Sequence, residues 1–140
     1  MRDGTMTDGN QPDRSDAVIG SRCSSPEQFF QGSPRGLAVY EAVVDAVASI
    51  GPAEIRVSKS QIAFRRRKGF AYVWRPDRYL KTDVPAVLSF GYPRQLHSRR
   101  FKEVVQAAPK VWMHHLELRD RAEVDAEVRG WLAAAYETAR

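Results

Sequence analysis

Residues 59–77, KSQIAFRRRKGFAYVWRPD, decide the fold. Apolar and polar side chains alternate up to Phe64, four cations follow at Arg65, Arg66, Arg67 and Lys68, and alternation resumes through Phe70, Tyr72 and Trp74. Period-two alternation on either side of a polar turn marks a β-hairpin, here with a cationic tip and aromatic arms. Gly69 is the natural supplier of the positive φ that a tight turn often needs. If the large aromatics seek the core, Phe70, Tyr72 and Trp74 face inward. Gln61, Ala63, Arg65, Ala71, Val73 and Arg75 then make up the opposite, open face of the sheet.

Upstream of the hairpin, Ser33-Pro34 gives a capped, proline-first helix start. Leu37, Tyr40, Val43, Val44, Val47 and Ile50 follow at helical spacing, and Gly51-Pro52 stops the run, so a helix over 34–50 is expected. A short helical turn at Ser25, Pro26, Glu27 and Gln28 precedes it, anchored by Phe29 and Phe30. Strands are expected at 54–59, 61–66, 70–75, 84–92, 101–106 and 110–118. Asp120 with Glu123 three residues later has the spacing of a capping box. Val124, Val128, Trp131, Leu132 and Ala135 continue from it as the apolar stripe of a last helix. The order predicts one α+β domain over 25–140, a two-layer sandwich of five or six antiparallel strands with two helices on one face. Residues 1–24 have almost nothing to bury and are expected to form a disordered polar leader.

Charge narrows the class of partner. The 140-residue chain carries a formal +5. Between Arg65 and Lys102 eleven Lys or Arg face two acids, a local +9 that leaves −4 for the rest. Such a basic face favours an anionic partner, nucleic acid or another anionic ligand. Arg65, Arg66, Arg67, Lys68 and Arg75, with Arg94, Arg99 and Arg100 from a later loop, are the candidate anion-binding residues, arginine's fork being well matched to phosphate oxygens. Cys23 is the lone cysteine, so no disulfide can form within one chain. No apolar run reaches the length of a membrane helix and no secretory signal opens the chain, which makes the cytoplasm the expected compartment.

The runs VSKSQIAFRRRKGFAYVWRP, WMHHLEL and EVDAEVRGWLAAAY resemble the small bacterial family catalogued as domain of unknown function 5655, over about residues 26–138. Ser60, Gln61, Phe64, Phe70, Trp112, His114, Trp131 and Tyr136 match its pattern. The resemblance implies no catalytic residues, because the family has none assigned. Some of its members carry the label of predicted transport proteins. It occurs both alone and fused to other domains, which suits a binding accessory better than a self-sufficient enzyme; a protein partner is a further candidate.

Catalytic motifs are sparse. The chain has no glycine-rich phosphate loop, nucleophile elbow or HExxH helix. Adjacent strand residues point to opposite faces, so His114 and His115 cannot share a metal from a regular strand, and no metal or cofactor is expected. His114 reads as a core histidine and His115 as its neighbour on the other face. His97 lies in a loop beside Arg94, Arg99 and Arg100. With Gln61, these three histidines form the candidate polar site. A binding module is the favoured reading, with a small-molecule enzyme or an accessory protein-interaction domain as the alternative.

Overall fold

Helix α2 (Pro34–Ile50) shows how local signals set this fold. Ser33 Oγ accepts a hydrogen bond from the Gly36 N–H, Pro34 occupies the first turn, and the Gly51 N–H closes the last turn on the Val47 carbonyl. A short helix, α1 (Pro26–Phe29), precedes it, capped by Ser25 Oγ on the Gln28 N–H. The computed structural model describes residues 25–140; the expected leader at 1–24 and Cys23 lie outside the described residues.

Six strands follow in one antiparallel sheet: β1 (Glu54–Val57), β2 (Ile62–Arg65), β3 (Gly69–Trp74), β4 (Ala86–Tyr92), β5 (Glu103–Ala108) and β6 (Val111–Leu118). Their order across the sheet is β1-β2-β3-β4-β6-β5. The closing helix, α3 (Ala126–Thr138), packs with α2 over β3 and β4. Ile62 and Phe64 of β2, Ala71 and Val73 of β3, Leu88 and Phe90 of β4, and Leu116 and Leu118 of β6 turn inward against Val39, Val43, Val128 and Leu132 of the helices. The fold is the two-layer α+β sandwich that the alternation implied.

Three local readings need correction. The last helix does not begin at Asp120. Asp120 Oδ1 accepts the Ala122 N–H at the head of a 3₁₀ turn (Arg121–Glu123), and Asp125 is the cap of α3, its carboxylate accepting the Val128 N–H. Gly69 does not lie in the left-handed region; among the described residues Gly32 (φ 83°) and Lys110 (φ 62°) do. The absence of a side chain at Gly69 makes room for the Tyr72 hydroxyl, which a Cβ there would displace.

The third correction concerns the face of β3. Phe64 pairs with Ala71 but Arg65 pairs with Gly69, so Phe70 is the extra residue of a β-bulge. The bulge turns Phe70 into the core, edge-on to Tyr136 at 5.4 Å between centroids. Beyond it, regular alternation sends Ala71 and Val73 inward under α3 and leaves Tyr72 and Trp74 on the helix-free face. The small residues meet the helix and the large aromatics meet solvent, the reverse of the expectation that all three aromatics face inward.

Candidate functional site

The aromatics on the free face wall a groove. Residues 58–61 form a tight turn in which Ser58 Oγ donates to the Gln61 carbonyl at 2.9 Å and accepts the Gln61 N–H at 3.2 Å. That turn presents Ser60 and Gln61 to solvent beside Trp74. After β3 the chain makes a 3₁₀ turn (Pro76–Arg78) that carries Tyr79 and Leu80 over the sheet, both more than half exposed. Tyr72, Trp74, Ser89, Met113 and His115 complete a cavity of about 730 Å³. That volume suits a drug-sized molecule, and the lining has the composition of a ligand site, apolar and aromatic walls with a few polar groups among them.

The polar groups on the floor are paired. Ser89 and His115 are direct cross-strand partners on β4 and β6, and Ser89 Oγ lies 2.6 Å from His115 Nδ1. Ser89 is nearly buried and His115 half-buried. Glu103 of β5 is the cross-strand partner of His115 on its other side, so its side chain shares the groove face. Lys59, Arg78 and Lys81 are exposed and adjoin the Ser60 and Tyr79–Leu80 walls; Arg78 Nη1 reaches the Lys59 carbonyl at 3.4 Å. These three cations neighbour the groove walls in the chain, and the Arg78 guanidinium itself lies 5.7 Å from the Phe29 ring centroid.

A family model described as domain of unknown function (DUF5655) matches residues 27–139. The chain belongs to that family. No curated protein and no solved structure matches it. Within this DUF5655 domain, the residues that carry the resemblance divide by location. Phe64, Phe70, His114 and Tyr136 are buried, whereas Ser60 and Gln61 are exposed and line the groove. No helix is long and apolar enough to cross a membrane. Among the described residues, no three His, Cys, Asp or Glu side chains are grouped to hold a metal ion.

The candidate anion-binding cations of the DUF5655 domain lie in several environments. Arg75 is buried: its guanidinium forks onto both Asp77 oxygens at 3.1 and 3.2 Å and donates to the Phe29 and Gln31 carbonyls. Those contacts fasten α1 to the end of β3. Arg100 donates to Asp125 and Glu127, each at 3.0 Å, and to the Glu123 carbonyl, holding the first turn of α3. Arg66 donates to the Tyr136 carbonyl at 3.1 Å and stacks over the Tyr136 ring at 4.1 Å, holding the last turn. The hairpin tip and the 94–102 loop thus reach opposite ends of α3, about 16 Å of helix apart.

Arg65 sits 3.9 Å from Glu54 on the free face, and the Arg94 guanidinium lies 5.7 Å from the Tyr92 ring centroid. Arg67, Lys68, Arg94 and Arg99 are exposed, with no ion pair among the described residues. His97 is exposed on its loop, away from the groove-lining residues. His114 is fully buried and stacks on Phe90 at 4.8 Å and 11°. Its Nε2 accepts the Leu96 N–H at 3.0 Å. Of the four candidate polar residues, the structure brings only Gln61 and His115 to one cavity. Sequence reasoning missed Tyr72, Trp74, Ser89, Met113, Tyr79 and Leu80 as site residues.

These contacts give the tip cations unequal weights. Arg66→Ala should cost about 1 kcal/mol, the loss of one charge-assisted hydrogen bond and a ring contact, while Lys68→Ala should cost nothing measurable. Urea denaturation of the two variants checks the difference; equal midpoints would mean that Arg66 does not hold α3. At the other end of that helix, the Val128 N–H first, then Arg100, keeps the Asp125 carboxyl below its usual pKa. A carboxylate held low stabilises the fold above its unfolded pKa, and that contribution fades as pH falls through the folded value. Asp125→Ala should therefore cost about 1–2 kcal/mol at pH 7. The gap from the wild type should narrow below about pH 4, as thermal melts at both pH values would show.

Proposed function

We propose that this domain is a binding module whose site is the groove on the helix-free face of the sheet. Its ligand is a flat aromatic molecule with an anionic end, the class to which nucleotides and short single strands belong. The observation that carries this reading is the placement of Tyr72 and Trp74 on the solvent side of β3, over a cavity of about 730 Å³. Buried aromatics would be explained by the core alone. Aromatics turned away from the core, beside hydrogen-bonding groups at Ser60, Gln61 and His115, supply stacking surface and polar recognition in one place. Lys59, Arg78 and Lys81, exposed next to the wall residues in the chain, are the cations proposed to meet the anionic end.

This reading implies a pose. The aromatic part lies along Tyr72 and Trp74, and the anionic end points to the wall formed by Ser60 and Leu80. A mononucleotide is short enough to lie wholly within the groove. A single strand would continue beyond it, with Arg56 and Arg65, which share the free face on β1 and β2, as further phosphate contacts.

Tryptophan fluorescence tests the proposal directly. The chain has three tryptophans, so each titration is run against a Trp74→Phe control that isolates the groove signal. The probes are adenosine monophosphate and a short single-stranded oligonucleotide at low salt. Quenching of Trp74 with a dissociation constant of roughly 1–100 μM is expected for at least one probe. Oligonucleotide binding should weaken with salt by about 0.7 log units per log unit for each phosphate neutralised, whereas a mononucleotide should show a shallow slope. No change in Trp74 emission with either probe at millimolar concentration would remove the reading.

A further inference from the structure

The groove floor holds a hydroxyl and an imidazole in an arrangement that neither stacking nor anion binding requires. Ser89 Oγ and His115 Nδ1 are 2.6 Å apart, within the reach at which a histidine can take a hydroxyl proton. Both residues are fixed by the strands that carry them: β4 lies between β3 and β6, and β6 between β4 and β5, so the pair sits on the interior of the sheet. A nucleophile–base pair on a rigid floor, open to a ligand-sized cavity with aromatic walls, is the minimal equipment for covalent chemistry on a bound ester.

We propose that Ser89 is a nucleophile activated by His115, and that the groove takes acyl groups from small aromatic esters. Ser89 Oγ forms a bond to the acyl carbon while its proton passes to His115 Nδ1. The carbon–oxygen bond to the leaving alcohol breaks, and that alkoxide takes the proton back from Nδ1, leaving a neutral acyl-serine. Water then attacks the acyl carbon, giving its proton to Nδ1, and Ser89 Oγ leaves with that proton as the free acid departs. No oxidant, reductant or metal enters the balance.

Two assays on the full chain test this: covalent labelling with an alkyl fluorophosphonate, read by intact mass and peptide mapping, and release of nitrophenol from p-nitrophenyl butyrate. One adduct is expected per chain, on the peptide that holds Ser89. Ser89→Ala should give none, and His115→Gln should slow labelling by about 100-fold or more. Circular dichroism and thermal melts of both variants show whether the fold survives. If His115→Gln does not fold, a labelling rate for the wild type no greater than that of an unactivated serine in a short peptide overturns the proposal just as well.

Absence of an adduct after hours at millimolar probe, an adduct that persists in Ser89→Ala, or wild-type labelling in folded His115→Gln would each overturn the proposal. The binding reading is judged separately by Trp74 quenching. Quenching without an adduct leaves a binding site with a structural Ser–His pair. An adduct without nucleotide quenching leaves the nucleophile and removes the nucleotide.

Discussion

Replacing Tyr72 and Trp74 together by alanine is expected to weaken probe binding by about 30-fold or more while the domain stays folded. Stacking on an aromatic side chain is worth about 1–3 kcal/mol for each base, so two platforms lost from one groove remove about 2–6 kcal/mol. The fold should tolerate the change because neither side chain supports the helices, Ala71 and Val73 filling that role from the other face of β3. Trp74 carries the larger structural load of the two. It is the cross-strand partner of Val87, which is buried although it lies on the free face. A modest stability loss is therefore expected for Trp74→Ala and a smaller one for Tyr72→Ala. Isothermal calorimetry with adenosine monophosphate, beside a urea melt, separates the two effects. Unchanged affinity in the folded double variant would show that the groove is not where the ligand sits.

How much of this was legible in the chain varies by element. Helix α2 was fully legible, because the Ser33 cap, the proline at 34, the apolar spacing from Leu37 to Ile50 and the stop at Gly51 all agree. The strands were legible to within a few residues for the same reason. The groove was hidden by one residue of register. A β-bulge at Phe70 leaves no letter of its own, yet it decouples Phe70 from Tyr72 and Trp74 and inverts the face on which the latter two lie. The available signal was the pair Ala71 and Val73, small enough to sit beneath a helix. The cations were readable as charge but not as partners. Arg75 and Asp77 are two residues apart and could have been paired by inspection, whereas Arg100 and Asp125 meet only through the fold.

The largest stability effect should come from His114. Its ring lies in an aromatic cluster with Phe90, Phe101 and Trp131, stacked on the first and 5.1 Å from the second. Truncation to alanine removes a ring from a closed core and leaves the Leu96 N–H without its acceptor. A cost of about 3–5 kcal/mol is expected, comparable to removing a buried phenylalanine. Because Nε2 accepts that N–H, the ring is neutral with its proton on Nδ1, an atom with no hydrogen-bond partner in the core. Burial foremost pushes the His114 pKa below its ordinary value, with His115 and His97 adding to the shift and the nearby Phe90 and Trp112 carbonyls opposing it. The sign follows from linkage. Below about pH 6.5 the unfolded chain binds a proton that the folded chain does not, so stability falls with pH until the folded value is reached. The slope from this one group cannot exceed about 1.4 kcal/mol per pH unit. His114→Phe keeps the stack and removes the titration, so its stability should depend less on pH between 6.5 and 5 than that of the wild type, although its midpoint at pH 7 is lower. Urea denaturation of both proteins across that window is the check. Parallel curves would mean that His114 is not the group that makes this domain sensitive to acid.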